Sequence, residues 1–304
     1  MRKPSFPSSP RNSALIQRMN KLPFCKERDS RSERALSIIE MLVSVSIVAV
    51  LSVLGGSVYS SASQKAAMSR EVQAAKVLVT AFNVSAADNN GRYIRGFDEE
   101  AADITLPSGE LVSGQEARRY PFRLAAYFDY KTEGTILVNK NKAQLEEGFD
   151  RIYGMSLCPA LAMNQSLVGG VYTRTAAARP VELSNADQVL TTQAEGVSLL
   201  AFVSGGFING TAKVDGYFNA TPPYTTSKAV NWGAKVGTWN ASSSVMNFGN
   251  VDARYGGKAV SAFTDGSIKM LSMSELADMR LWSKQAKAED KPDYTYAAAA
   301  GGGR

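Results

Sequence analysis

A single carboxylate, Glu40, stands directly before a long uncharged segment. No Asp, Glu, Lys or Arg occurs from Met41 to Gln64, and residues 41–59 consist mainly of Val, Leu, Ile, Ala, Ser and Gly. At a helical rise of about 1.5 Å, roughly 20 such residues cross the ~30 Å hydrocarbon core of a bilayer. An ionised side chain in such a helix costs up to a few kcal/mol unless it lies near the interface or is paired. Glu40 is therefore a candidate functional residue whose chemistry is the pairing of a charge.

The positive charge of the chain is concentrated in residues 1–35. This leader contains nine Lys or Arg and three Asp or Glu, so it accounts for the whole formal net charge of +6. Lys and Arg beside a membrane span stay cytoplasmic, so we expect the leader inside and the remainder exported. A nucleic-acid surface needs clustered basic residues with aromatics among them, whereas the remainder offers only scattered pairs such as Arg118–Arg119. No nucleic-acid partner is expected.

The segment around Glu40 resembles the N-terminal segment of type IV pilins and pseudopilins. Those precursors carry a basic leader, a small residue before the cleaved bond, an apolar first mature residue and a Glu four residues later. Here Ala35, Leu36 and Glu40 occupy these positions, where the family usually has Gly and Phe at the first two. The resemblance implies that prepilin peptidase cuts between Ala35 and Leu36, that the new amine is methylated, and that Glu40 serves subunit assembly.

Two other interpretations of the N-terminal segment compete with this one. An ordinary secretory signal peptide has a basic front and an apolar stretch of about 7 to 15 residues. The uncharged stretch here is longer, and residues 60–62 (Ser-Ser-Ala) form only a passable cleavage site. A plain membrane anchor would explain the length but predicts no carboxylate at Glu40.

The helix is predicted to continue beyond the membrane as the spine of a folded head. Apolar residues recur at intervals of three and four, and charged residues lie between them. The apolar positions are Met68, Val72, Ala75, Val79 and Phe82, and the charged ones are Lys65, Arg70, Glu71 and Lys76. The chain therefore divides into a basic leader, a transmembrane helix, its amphipathic continuation, an α+β exported head and a flexible tail, at residues 1–35, 36–60, 61–90, 91–288 and 289–304.

Strand patterns dominate the second half of the head and predict a mostly antiparallel sheet. The candidate strands are Val197–Val203, Lys213–Phe218, Ala229–Trp239 and Ser244–Phe248. A hairpin is predicted to pair Val260–Phe263 with Ser267–Leu271 around Asp265–Gly266, because glycine accepts the positive φ of tight turns. Ser272 and Glu275 then have capping-box spacing and predict a helix to about Ala288. The expected fold is a pilin-like α+β fold with the long helix on the sheet.

The C-terminal part of the head resembles a second pattern. Pilin-like proteins of planctomycete and verrucomicrobial bacteria carry a His, nine residues and then Asp-Gly. Tyr255, Gly256 and Gly257, followed by Asp265 and Gly266, match this pattern with Tyr in the place of His. The substitution removes imidazole chemistry, so Tyr255 is expected to pack and to donate one hydrogen bond.

The composition argues against catalysis. The chain has no histidine, which excludes Ser-His-Asp and Cys-His pairs and His-containing zinc sites. It has no standard phosphate-binding glycine loop, so we expect no enzymatic activity and no cofactor. The mature subunit would contain one cysteine, Cys158, interpreted as a small buried apolar residue rather than a bridging thiol.

Two further sets of residues have alternative interpretations. The acidic residues of 98–103 fit a solvated loop better than a calcium loop, because they lack the spaced ligands and the turn glycine. Several aromatic residues fit the sheet core better than a sugar-stacking surface. These aromatic residues are Tyr217, Phe218, Tyr224, Trp232 and Trp239.

The resemblance to pilins implies a noncatalytic subunit of a type II secretion pseudopilus or a type IV pilus-like filament. Its partners would be prepilin peptidase, other pilin or pseudopilin subunits and the inner-membrane assembly platform. It would cross the inner membrane once, with its N-terminus cytoplasmic and its head periplasmic or in an extracellular filament. The alternatives are a minor or tip subunit, suggested by the head of about 200 residues, and a membrane-anchored protein that binds a solute or surface.

Overall fold

The computed structural model describes residues 37–174, 189–192, 197–224, 232 and 239–296. The chain forms two compact units, Met1–Gly55 and Gly56–Arg304. The described helices are α1 (Ile38–Asp88), α2 (Gly114–Arg118), α3 (Tyr120–Arg123), α4 (Asn141–Gly148), α5 (Arg151–Leu157), α6 (Met273–Leu276) and α7 (Lys284–Ala288). The described strands are β1 (Phe97–Asp98), β2 (Ile104–Thr105), β3 (Leu111–Val112), β4 (Leu161–Met163), β5 (Val171–Tyr172), β6 (Leu200–Ser204), β7 (Phe207–Asn209), β8 (Ala212–Val214), β9 (Lys258–Phe263) and β10 (Ile268–Ser272).

The first unit contains the exposed apolar part of α1. Its large side chains are open to solvent; Ile38 is 79% exposed and Leu51 is 61% exposed. Serine hydroxyls in this part donate to backbone carbonyls one turn back, as from Ser44 to Glu40 and from Ser52 to Val48, each at 2.7 Å. Such bonds satisfy hydroxyl groups without water. Among the described residues, α1 is the one helix long and apolar enough to cross a membrane.

The second unit is built on a four-stranded antiparallel sheet with the order β10–β9–β6–β4. Small two-stranded sheets flank it, of which β2–β3 and β7–β8 are antiparallel and β1–β5 is parallel. One face of the central sheet packs on the second half of α1, where Phe82 meets the ring of Phe202 at 5.4 Å. The long helix, the mixed content and the antiparallel pairing agree with the predicted α+β class.

The opposite face of the sheet is covered by the C-terminal elements. Trp282 and Leu276 are fully buried there together with Trp232. Because both faces are covered, every residue of β9 except Lys258 is buried. A strand covered on both sides has a nearly continuous apolar sequence rather than an alternating one, and Ala259–Phe263 shows this pattern with Ser261 as its one polar residue.

The hairpin predicted at Asp265–Gly266 is present. Residues Ala262 and Ile268 pair across β9 and β10, as do Val260 and Met270. The Phe263 N–H donates to the Ser267 carbonyl at 2.9 Å, and Gly266 has a φ of +84°. A three-residue loop with its last residue in the left-handed region is a common hairpin connection.

Two local predictions in the second unit were wrong, and a third is not tested. Residues Val245–Phe248 form a 3-10 turn instead of a strand, because residues three apart share a face and bury both Val245 and Phe248. The strand predicted at Lys213–Phe218 ends at Val214, where the Gly216 N–H bonds back to the Val214 carbonyl. The predicted strand Ala229–Trp239 lies outside the described residues except for Trp232 and Trp239.

The predicted helix after Ser272 is divided into three short pieces. Its capping box is present, with Ser272 and Glu275 bonded reciprocally. Asp278 and Ser283 then accept backbone N–H groups of Arg280 and Ala286 and start new helical turns. Short polar side chains that bond to nearby backbone compete with a continuous helix.

Part of the segment predicted as a flexible tail is packed against the second unit. Tyr296 is 5% exposed, and its hydroxyl lies 2.6 Å from the Ser283 hydroxyl. The packed part of this segment reaches residue 296, and residues 297–304 lie outside the described residues.

Replacing Gly266 with valine should lower the free energy of unfolding by about 1 kcal/mol or somewhat more, because a β-branched residue is strained at positive φ. A β-carbon there would meet no atom within 4 Å, so the cost comes from the backbone alone. Urea unfolding of the detergent-solubilised protein measures it. Gly266→Asn is the control and should cost less, since Asn tolerates this region; equal losses for both variants would contradict the explanation.

Candidate functional site

Glu40 and Ser37 together cap the start of α1. The Oε2 atom of Glu40 accepts the N–H of Ser37 at 2.9 Å, and the Ser37 hydroxyl accepts the N–H of Ile39 at 3.3 Å. These two bonds satisfy N–H groups that a helix start leaves unpaired. A negative charge in the first turn is also favoured by the helix dipole. Glu40 therefore has a partner within its own chain, which the Ser-x-x-Glu spacing could have indicated and which the sequence analysis missed.

The two residues of the predicted cleavage bond, Ala35 and Leu36, lie outside the described residues. Their processing stays a prediction.

The second unit contains a buried ionic cluster centred on Glu71 and Arg254. Glu71 lies on α1 and is 1% exposed, and Arg254 precedes β9 with an 11% exposed side chain. The Nε of Arg254 donates to Glu71 Oε2 at 3.0 Å, and its Nη2 donates to Glu71 Oε1 at 2.9 Å. This is the two-bond arrangement that gives arginine–carboxylate pairs their strength and direction. The sequence analysis placed Glu71 only among the charged residues between the apolar positions of the helix and did not identify it as a buried residue.

The remaining donors of Arg254 are also satisfied. Its Nη1 donates to Asp252 Oδ2 at 3.1 Å and to the Gly205 carbonyl at 2.8 Å, while Nη2 also donates to the Ala160 carbonyl at 2.8 Å. A guanidinium has five N–H groups, and these contacts use all five. Burial alone would lower the pKa of Arg254, but the carboxylates of Glu71 and Asp252 outweigh it and raise the pKa. Arg254 is therefore charged at every accessible pH.

Tyr255, from the C-terminal pattern, completes the cluster. Its hydroxyl donates to Glu71 Oε2 at 2.5 Å and accepts from Asn139 Nδ2 at 3.1 Å. The Ser204 hydroxyl donates to the other oxygen of Glu71. Burial and the adjacent Glu71 carboxylate raise the pKa of Tyr255, so the hydroxyl keeps its proton. The predicted single hydrogen bond from Tyr255 is present, and its acceptor is the buried carboxylate.

The glycines of the same pattern shape the chain beside Tyr255. Gly256 and Gly257 have φ values of +60° and +81°, and Tyr255 and Lys258 bond reciprocally across them at 3.1 and 3.2 Å. Positive φ at both central residues is the requirement of a two-residue hairpin turn of type I′. Asp265, at the far end of β9, accepts the Ser267 N–H at 2.9 Å within its own loop. The pattern thus marks the two turns that flank β9.

This arrangement is suited to holding elements together rather than to chemistry. Each carboxylate oxygen of Glu71 accepts hydrogen bonds from within the protein, and each N–H of Arg254 donates one. The contacts join α1 to β6 through Ser204 and to the segment before β9. A cleft of about 290 Å³ lies beside the cluster, and Lys213 on its wall pairs with the buried Asp252 at 2.7 Å.

No family model, curated protein or solved structure matches this chain. The functional assignment therefore rests on the residues of the chain itself.

The other candidate residues have structural surroundings. Asp98 pairs with Arg95 at 3.2 Å and with Arg123 at 3.6 Å. The described residues contain no group of three or more His, Cys, Asp or Glu that could hold a metal ion. Trp232 is fully buried, which agrees with the core interpretation. Cys158 is also fully buried, and burial raises its pKa to about 12 against the attraction of Arg119, so its thiol stays protonated.

The sequence analysis also missed Arg119, which it treated only as one of a basic pair. This residue is 8% exposed and lies between the rings of Phe218 and Tyr153, at 4.9 and 5.3 Å. Its Nη1 donates to the Ser156 hydroxyl at 2.8 Å. Stacking on aromatic faces suits the weakly hydrated guanidinium, but no signal in the sequence indicates it.

Proposed function

We propose that this chain is a noncatalytic subunit of a type II secretion pseudopilus or a type IV pilus-like filament. In this function, prepilin peptidase removes the basic leader between Ala35 and Leu36 and methylates the new amine. Other subunits and the inner-membrane assembly platform are its partners. The subunit is held in the inner membrane by α1 with its head outside the cytoplasm until it is extracted into the fibre.

The observation that carries the proposal is the position of Glu40. It lies in the first turn of a 51-residue helix, directly before a charge-free segment whose apolar side chains are exposed. Side chains such as Leu42 and Val45, 66% and 62% exposed, need lipid or other helices as neighbours. A plain anchor would meet that need without a carboxylate. The carboxylate at the start of the apolar segment is what an assembly subunit requires.

The proposed role of Glu40 is to neutralise the amine of Leu36 on a neighbouring subunit. Between packed helices the dielectric is low, so the attraction is strong and an unpaired charge is costly. The contact with the Ser37 N–H gives the same carboxylate a neutral partner before assembly. Exchange of that N–H for a cationic amine would favour the assembled state.

Processing is the direct test of this proposal. Mass spectrometry of the protein from native membranes and surface fibres should find Leu36 as the first residue, carrying an N-terminal methyl group. Ala35→Trp should leave the precursor uncut, because the peptidase needs a small residue before the bond. A mature terminus near Gln64 would instead identify a conventional signal peptide and overturn the proposal.

A further inference from the structure

The cleft beside the Glu71 cluster lies where the charge-free segment of α1 ends. Its walls come from α1, the segment before α4, the end of β8 and the segment before β9. Gln64, the last residue of the charge-free segment 41–64, is part of its lining. At about 1.5 Å per residue this segment is about 36 Å long, whereas a bilayer core is about 30 Å thick. When α1 spans a membrane, the cleft therefore lies at the depth of the lipid phosphate groups on the exported side.

A loop of the second unit is fixed to α1 at this level. Asn139 Nδ2 donates to the Ala67 carbonyl at 2.8 Å and to the Tyr255 hydroxyl at 3.1 Å. Asn139 has a φ of +59°, a conformation that asparagine adopts more readily than most residues. Lys140 follows directly in the chain and lines the cleft. The loop thus holds the exposed Lys140 beside the helical turn that follows the charge-free segment.

The carboxylates of the cleft are already paired within the protein. Arg254 lies 2.9 Å from Glu71 and 3.1 Å from Asp252. Lys213 lies 2.7 Å from Asp252 and 3.8 Å from Asp215. These five residues carry two positive and three negative charges, so their net charge is −1.

Three exposed cations accompany this paired group. Lys140 lines the cleft, and Lys65 and Arg70 lie on α1 directly after Gln64 and directly before Glu71. None of the three cations forms an ion pair with a described residue. Together with the paired group they give a net charge of +2. Because Lys and Arg beside a membrane span normally stay on the cytoplasmic side, cations at the exported end indicate a compensating anion there.

We propose that this cleft binds the phosphate group of an anionic phospholipid of the exported leaflet, with Lys140 and Lys65 as the cationic contacts. A lysine ammonium carries three donors and binds phosphate oxygens as a point charge. The lining also contains Ala67 and Val138, apolar side chains that suit the glycerol backbone of a lipid. The inference rests on the membrane insertion of α1 in the proposed function, but not on cleavage or fibre assembly.

Photocrosslinking in vesicles tests this inference. The full-length protein is reconstituted in a mixture of phosphatidylcholine and phosphatidylglycerol with the same acyl chains. One of the two lipids carries a photoactivatable group on its headgroup, and mass spectrometry locates the crosslinked residues. At residues 138–140 the yield from phosphatidylglycerol should exceed the yield from phosphatidylcholine, because only the first lipid brings a net negative charge to the cleft.

Lys140→Gln should lower the ratio of the two yields about fivefold, the equivalent of about 1 kcal/mol for one lysine near an anionic lipid surface. Lys65→Gln should lower it by a similar factor, and it leaves the crosslinked residues themselves unchanged. Lys291→Gln is the control, because it removes an exposed lysine outside the cleft, and it should leave the ratio unchanged.

Crosslinks within residues 41–64 of the same samples report the insertion of α1. Their absence would overturn the membrane span and this inference with it. With α1 inserted, equal yields from the two lipids, or an unchanged ratio in both folded variants, would overturn the role of the cleft alone. Inorganic phosphate that replaces chloride at constant ionic strength should not reduce the yield at residues 138–140. A reduction would assign the cleft to free phosphate and overturn the lipid as its partner.

Discussion

Glu71→Ala should lower the free energy of unfolding by about 3–5 kcal/mol, the range for a buried ion pair that loses one partner. The loss is large because Arg254 would keep its charge in a site where its side chain is only 11% exposed. Tyr255 and Ser204 would also lose the acceptor that they share. Against a usual total stability of about 5–15 kcal/mol, this is a major fraction.

Urea unfolding of the detergent-solubilised protein measures this loss. The matched control is Glu133→Ala, which removes the carboxylate of an exposed pair with Lys142 at 2.6 Å and should cost little, because solvent screens an exposed pair. Combining Glu71→Leu with Arg254→Met removes both charges and should recover much of the lost stability. Equal costs for Glu71→Ala and Glu133→Ala would show that the buried pair does not hold α1 on the head.

Glu40→Ala should abolish incorporation of the subunit into fibres while the protein stays folded and membrane-bound. The proposed reason is that the amine of a neighbouring Leu36 would enter the fibre interior without a counter-charge. The informative comparison is Glu40→Gln. Glutamine also serves in a capping box, so it preserves the bond from the Ser37 N–H but carries no charge.

The amount of subunit in sheared surface fibres, relative to the amount in membranes, measures incorporation. Both variants should fail if Glu40 acts through its charge, whereas normal incorporation of Glu40→Gln would reduce its role to helix capping. Glu275→Gln alters the capping box at Ser272 in the head and should assemble normally. Wild-type incorporation of Glu40→Ala would remove the basis of the proposed function.

Local sequence was sufficient for the features that depend on neighbouring residues. The length and polarity of residues 41–64 predicted the apolar half of α1, whose bounds are Ile38–Asp88. Asp265–Gly266 predicted the hairpin because a glycine at positive φ is required whatever surrounds the turn. The Ser272–Glu275 spacing predicted a capping box, since its bonds span only three residues.

The buried cluster could not be read from the sequence, because its members come from distant parts of the chain. Glu71 and Arg254 are 183 positions apart, and only the packing of α1 on the sheet brings them together. Periodicity placed Glu71 between the apolar positions of the helix, and a charge is normally excluded from a core unless it is paired. Whether the pair exists is decided by tertiary structure.

The same reason explains the wrong local predictions. In a strand Val245 and Phe248 would point to opposite faces, but the core takes both on one face and the backbone forms a 3-10 turn. The sequence by itself determined the apolar segment, the position of Glu40 and the turn at Asp265–Gly266. The tertiary structure alone decided which charges are buried, because burial depends on what the folded chain places against each side chain.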